Sequence, residues 1–182
     1  PTTNSRQIFL LIGLLLIAQV LKINFKTISP LSIIVTPTLI ISQGMGTITA
    51  LSWVSIALIN WPNSEYGMNE YILLITFISS CIVAILGGKI RSRAQLLQVS
   101  LFVPLGAFLG QYLLLGVNNN DLYNFNIQNL ISKQGNIISD SFLLATLMLL
   151  VILSMPILES IFGLVTKARL LELADQEKPL LR

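Results

Sequence analysis

The chain has 182 residues, 54% hydrophobic and 10% charged, with a formal net charge of +3 and no histidine. Soluble domains carry about a quarter charged residues. With a mean hydropathy of +0.80, the composition therefore excludes an ordinary soluble domain and describes a polytopic, all-α membrane helix bundle. Without histidine, a His-based metal site, a Ser-His-Asp triad and an imidazole relay are excluded within these residues.

At about 20 apolar residues per crossing, the length allows roughly five to seven helices, including one short broken or re-entrant segment. Pro1 in place of a methionine suggests an excerpt or a processed product. Residues 1–7 offer Arg6 as their basic residue, no small-residue cleavage site follows, and so no secretory signal is legible. The first apolar segment runs roughly over 8–23 and is closed by Lys22, Asn24 and Lys26. A second, roughly 29–44, opens on Ser29-Pro30 and carries Pro37; the first proline suits a helix start, and the second should bend or break the helix. Gln43-Gly44-Met45-Gly46 leads at once into a third segment, roughly 46–61, which stops at Trp61-Pro62-Asn63. Trp61 is read there as an aromatic anchor at the membrane interface.

The fourth segment, roughly 71–88, holds the lone Cys81, read as a small buried hydrophobe. It ends in Gly87-Gly88 and the densest basic cluster, Lys89, Arg91 and Arg93. A fifth, roughly 95–117, contains Gly106 and Gly110 at G-x-x-x-G spacing, which suits close helix packing within the bundle rather than dimerisation. The asparagine-rich stretch 118–138 reads as a polar loop with room for one short surface helix. The last segment, roughly 139–165, is long enough to tilt. There is no internal repeat of the kind that marks an inverted-repeat transporter.

Lys and Arg near span ends mark the cytoplasmic side. Applied throughout, the rule places Lys22, Lys26, Lys89, Arg91, Arg93, Lys167 and Arg169 inside, and the turns with Glu65, Glu70, Asp121 and Asp140 outside. Both assignments hold together if residues 29–61 cross the membrane a net single time, with 29–44 a half-helix or re-entrant arm. The amino end is then outside and the carboxyl end inside. If 29–44 spans instead, Lys22 and Lys26 fall on the side opposite Lys89 and the rule fails somewhere.

The last segment continues as Pro156-Ile157-Leu158-Glu159-Ser160-Ile161-Phe162-Gly163, then Arg169-Leu170-Leu171-Glu172-Leu173-Ala174-Asp175 and Pro179-Leu180-Leu181-Arg182. Over about thirty residues this resembles the end of the seven-helix membrane domain of bacterial receptors with an intracellular HD phosphohydrolase. It departs from the family's common Asn-His pair at Gln176-Glu177-Lys178. The resemblance implies a membrane domain over 1–166, a cytoplasmic connector over 167–182, an extracellular domain before Pro1, and a divalent-metal-dependent HD phosphodiesterase beyond Arg182. It further implies a bacterial plasma-membrane location, and cyclic di-AMP as the substrate of the parent. HD chemistry needs histidines paired with aspartates, so this segment is not itself the enzyme and holds no cofactor. Its partners are the lipid bilayer and its own flanking domains; a homo-oligomer stays open, and nucleic acid binding has no support.

Individual residues then have competing readings. Glu159 is a carboxylate well inside a span, a functional candidate by default; a structural role, hydrogen-bonded to a neighbouring helix, is the stronger reading. Pro156 should kink the last helix, as structure rather than as a hinge. Gln43, Gly44 and Gly46, with Ser42, Thr47, Thr49 and Ser52, either line a polar pocket or, the favoured reading, satisfy freed backbone groups. Lys89, Arg91 and Arg93 suit anionic headgroups or topology alone, as do Lys167 and Arg169. A small-solute transporter or transporter subunit is the main alternative function. An integral transferase acting on lipid phosphates is disfavoured by the scattered acids.

Overall fold

Lipid offers no partners for backbone amides, and a helix pairs them within its own segment. Each apolar stretch accordingly forms one. The computed structural model describes residues 5–24, 29–61, 70–90, 92–118 and 135–162. Its helices are α1 (Ser5–Asn24), α2 (Pro30–Gly44), α3 (Thr47–Ile59), α4 (Glu70–Lys89), α5 (Arg93–Asn118) and α6 (Gly135–Phe162). No strand occurs among the described residues. Four helices, α1, α4, α5 and α6, are long and apolar enough to cross a membrane, whereas α2 and α3 have 15 and 13 residues. The connector at 167–182, Arg91 and residues 119–134 lie outside the described residues.

Leu31, Val35 and Leu39 of α2 share one core with Ile75 and Val83 of α4, Val99 and Val103 of α5, and Leu144 and Met148 of α6. These four helices are the central bundle. A second cluster joins Ile33, Ile34 and Ile41 of α2 to Ala50, Trp53, Val54 and Ala57 of α3, with Leu10 and Ala18 of α1. Short as it is, α2 lies between the two and is buried along nearly its whole length.

On α6, Ile137, Ser141, Leu144, Met148, Val151, Met155 and Glu159 are buried at spacings of three and four, while Phe142, Leu150, Leu153 and Ile157 are exposed. That is one inward stripe on a helix apolar all round. Across the bundle Thr76, Ser80, Ser100, Gln111 and Ser141 are buried while Ile, Leu and Phe cover the outside. Lipid is as apolar as leucine, so nothing penalises that outward face, and small or polar residues mediate helix contact instead.

The short element expected at 29–44 is present but unbroken. α2 continues through Pro37, flanked by Thr36 Oγ1 donating to Ser32 O and Thr38 Oγ1 to Ile34 O, each at 2.7 Å. Likewise α5 and α6 run on through Pro104 and Pro156. Gly135 to Ile138 already belong to α6, which shortens the loop expected at 118–138.

The net single crossing of 29–61 is overturned. Ser42 near the end of α2 lies against Gly87, and Thr47 at the start of α3 against Gly88, so the two helices meet at the last turn of α4 and α3 runs back along it. α2 and α3 thus form an antiparallel hairpin. α1 runs parallel to α3, Trp53 Nε1 donating to Leu11 O at 3.3 Å and Lys22 Nζ sitting 4.9 Å from the centre of the Trp61 ring. Lys22 is therefore separated from Lys89 by the length of α3, about 20 Å at 1.5 Å per residue. The charge rule fails at Lys22, whose ammonium rests on an aromatic face. Trp61 itself is buried in the second cluster. Asp140 near the start of α6 faces Ser29 at the start of α2, so α6 runs with α2 toward the end where α2 meets α3, which is the end where α1 begins. The start of α1 and the end of α6 thus share one end of the bundle, correcting the reading that put them on opposite sides.

Candidate functional site

The polar cluster at 42–52 is a clamp between α2, α3 and α4. Helix ends leave their last carbonyls without intrahelical partners, and Gln43 Nε2 donates to Gly87 O in the final turn of α4. Ser42 Oγ donates to Leu39 O at 3.0 Å, Thr49 Oγ1 to Gly46 O at 2.9 Å and Ser52 Oγ to Thr49 O at 2.9 Å. These side chains close onto backbone, leaving no polar pocket among themselves. Gly44 ends α2, and Met45 N donates back to Ile41 O at 2.8 Å. Gly46, at φ +98°, takes the left-handed conformation that the reversal into α3 requires.

The close approach depends on two glycines that the sequence reading took only as a helix end. A Cβ at Gly87 would overlap the Ser42 hydroxyl and stand 3.0 Å from Ser42 Cβ; one at Gly88 would overlap the Thr47 methyl and stand 3.5 Å from Thr47 N. The signal available beforehand was a Gly-Gly pair at the end of one apolar segment and a Ser-Gln-Gly at the end of another. Gly106 is the reverse case. It is exposed, and a Cβ there would meet nothing within 4 Å. The internal packing expected of the G-x-x-x-G pair is thus absent at Gly106, which opens onto an outward groove of about 570 Å³ between α4 and α5, lined by Ile78, Ile82, Leu86 and Phe102 and ending at Lys89.

Glu159 is buried, 8% exposed, on the inward stripe of α6, and it has an interaction partner. Pro156 faces outward, three residues earlier. The clamp and Glu159 lie at the end of the bundle where α2 and α6 finish. Lys89 and Arg93 are exposed there too; Arg91, Lys167 and Arg169 lie outside the described residues. Among those described, no group of three or more His, Cys, Asp or Glu could hold a metal ion.

No curated protein and no solved structure matches the chain significantly. The model of one family, "7TM receptor with intracellular HD hydrolase", matches residues 3–166. That match covers the whole bundle, from the start of α1 to the end of α6, and agrees with the resemblance carried by the Pro156 to Gly163 run. The chain is a multi-pass membrane protein and belongs to the family of 7TM receptors with an intracellular HD hydrolase.

Proposed function

We propose that this chain is the membrane anchor and signal-transmitting part of a receptor-like HD phosphohydrolase whose catalytic domain hydrolyses cyclic di-AMP with divalent metal ions. The observation that supports this best is α6. Its inward stripe is locked into the central core from Leu144 to Val151, and it ends beside the start of α1, at the end carrying Lys89 and Arg93. By the rule that basic residues stay inside, that end is cytoplasmic. A displacement of α6 against α2 and α5 is then delivered on the side where the family keeps its hydrolase. The bilayer and the hydrolase domain are the partners in this reading.

The small-solute transporter is the weaker reading, because the polar side chains near the α2–α3 turn are bonded to backbone rather than lining a passage. The test is to reconstitute the parent protein and measure cyclic di-AMP hydrolysis with the membrane segment intact, deleted, and carrying Gly87→Ala. Rates that change with the clamp variant support transmission. Equal rates in all three reduce the segment to an anchor, and absence of cyclic di-AMP hydrolysis rejects the substrate.

A further inference from the structure

Among the described residues, six buried side-chain atoms make no hydrogen bond: Ser29 Oγ, Ser32 Oγ, Ser80 Oγ, Ser141 Oγ, and both Oε1 and Nε2 of Gln111. Their positions are not scattered. α2 and α4 run parallel with Ser42 beside Gly87, so stepping back equally along both puts Pro30 level with Ile75. A Cβ at Gly110 of α5 would stand 3.9 Å from Ile75, which brings Gln111 to the same level. Ser29 faces Asp140 of α6, and Ser141 follows it. Ser29, Ser32, Gln111, Asp140 and Ser141 therefore occupy one layer of the four-helix bundle, about one turn thick, near the end opposite the clamp. Ser80 lies deeper.

The layer is enclosed. Gln111 is 2% exposed, Ser32 1%, Ser29 4% and Ser141 8%. Gln111 continues the buried stripe of Leu96, Val99, Val103 and Ala107, which aims its carboxamide into the bundle. Ser29 Oγ stands beside the Asp140 carboxyl without completing a well-formed hydrogen bond. Asp140 is half-buried, so the layer has a carboxylate at its mouth. Leaving so many polar atoms unpaired in a lipid-embedded interior costs free energy at each one; the hydroxyls of Thr36 and Thr38, deeper, and of Thr76, level with Leu31, show the ordinary remedy, donating to a carbonyl one turn back. The layer's serines and Gln111 do not use it.

We infer that this layer is a binding site for a small monovalent cation. The donors are three hydroxyl oxygens, one carboxamide oxygen and a carboxylate, an all-oxygen set suited to a hard cation. One negative charge matches one positive charge, whereas a divalent ion would leave an uncompensated charge in low dielectric. Water could satisfy the hydroxyls but would leave the carboxylate's charge in place. The ion ties α6 to α2 and α5 at the end away from the clamp. The site stands apart from the hydrolase reading, since it needs only this chain and its failure leaves that reading untouched.

The experiment is thermal unfolding of the 182-residue chain in detergent or nanodiscs, at constant ionic strength, in sodium, potassium or N-methyl-D-glucamine chloride. A site filled to about ten times its Kd raises the melting temperature by about 4 °C over the bulky cation. Ser141→Ala and Asp140→Asn abolish that difference, while Ser80→Ala, outside the layer, keeps it. Should Asp140→Asn fail to fold, broadening of the ²³Na resonance by wild type but not by Ser141→Ala carries the same decision. Identical melting in all three salts, with no sodium broadening, means the layer holds water alone and overturns the inference.

Discussion

Substituting Gly87 by alanine isolates what the α2–α4 contact contributes. The new methyl would overlap the Ser42 hydroxyl and stand 3.0 Å from Ser42 Cβ. Ser42 has a single rotatable side-chain bond, and turning it aside breaks its bond to Leu39 O while leaving Cβ in place. Relief therefore requires α2 to move from α4, which also stretches the bond from Gln43 to Gly87 O. Overpacking of this kind costs about 1–3 kcal/mol, and at about 2–4 °C per kcal/mol for a chain this size the apparent melting temperature falls by roughly 2–12 °C. Gly106→Ala is the internal control, for its methyl meets nothing and replacing a helical glycine removes backbone entropy. It should be neutral or slightly stabilising. Melting of both variants in detergent, with Ser42→Ala completing a double-mutant cycle against Gly87→Ala, checks the argument. A coupling of about 0.5 kcal/mol or more between positions 42 and 87 is expected for residues in contact. Equal melting of Gly87→Ala and Gly106→Ala, or no coupling, refutes the clamp.

Other substitutions test the remaining links. Gln43→Leu removes an interhelical hydrogen bond and should cost about 0.6–1.7 kcal/mol, the range for such bonds in membrane bundles, read as a lower melting temperature. Leu144→Ala opens a cavity in the central core, where Leu144 is 0% exposed, and should cost about 2–5 kcal/mol; Leu153→Ala, at an 81% exposed position, should leave melting nearly unchanged. Glu159→Ala should cost about 1–3 kcal/mol by removing the interaction this buried carboxylate makes, with Glu159→Gln recovering most of it on the same melting curve. In a Cys81→Ser background, Ser5→Cys and Ala94→Cys should label from the same face of sealed vesicles and Asn60→Cys from the other. Labelling of Ser5→Cys and Asn60→Cys from one face would rule out the hairpin.

Helix positions were legible because apolar runs of spanning length have few alternatives: segments read at 8–23, 71–88 and 95–117 became α1, α4 and α5 with ends shifted by a few residues. Direction was harder. Counting basic residues treats each as an equal vote, and Lys22 carries the wrong vote because its ammonium sits over Trp61, a contact between residues 39 apart in sequence. Pro37 misled for a similar reason. Its lost backbone bond is local, yet the packing that keeps α2 helical around it comes from α3, α4 and α6. Glycine spacing was ambiguous in both directions, since whether Gly87 or Gly106 faces a neighbour depends on helix rotation, which no local pattern fixes in a segment apolar on every side. Ser29, Gln111 and Ser141 are far apart in the chain, and they become a layer only once four helices share a register.

The arrangement gives α2 a role out of proportion to its 15 residues. Its first turn faces α6 through Ser29 and Asp140, and its last turn grips α4 through Gln43 and Gly87. Between these ends Leu31, Val35 and Leu39 fill the central core while Ile33, Ile34 and Ile41 carry α1 and α3. α2 touches both neighbours along its length, and packed interiors deform by switching arrangements rather than by continuous strain. A shift of α6 at Asp140 must therefore displace α2 or slide past it. Gly87→Ala and Asp140→Asn act on opposite ends of α2, so effects on α6 mobility that fail to add, measured by spin labels at Leu153, would identify α2 as the element joining the two ends of the bundle. Additive effects would mean that α6 moves independently of it.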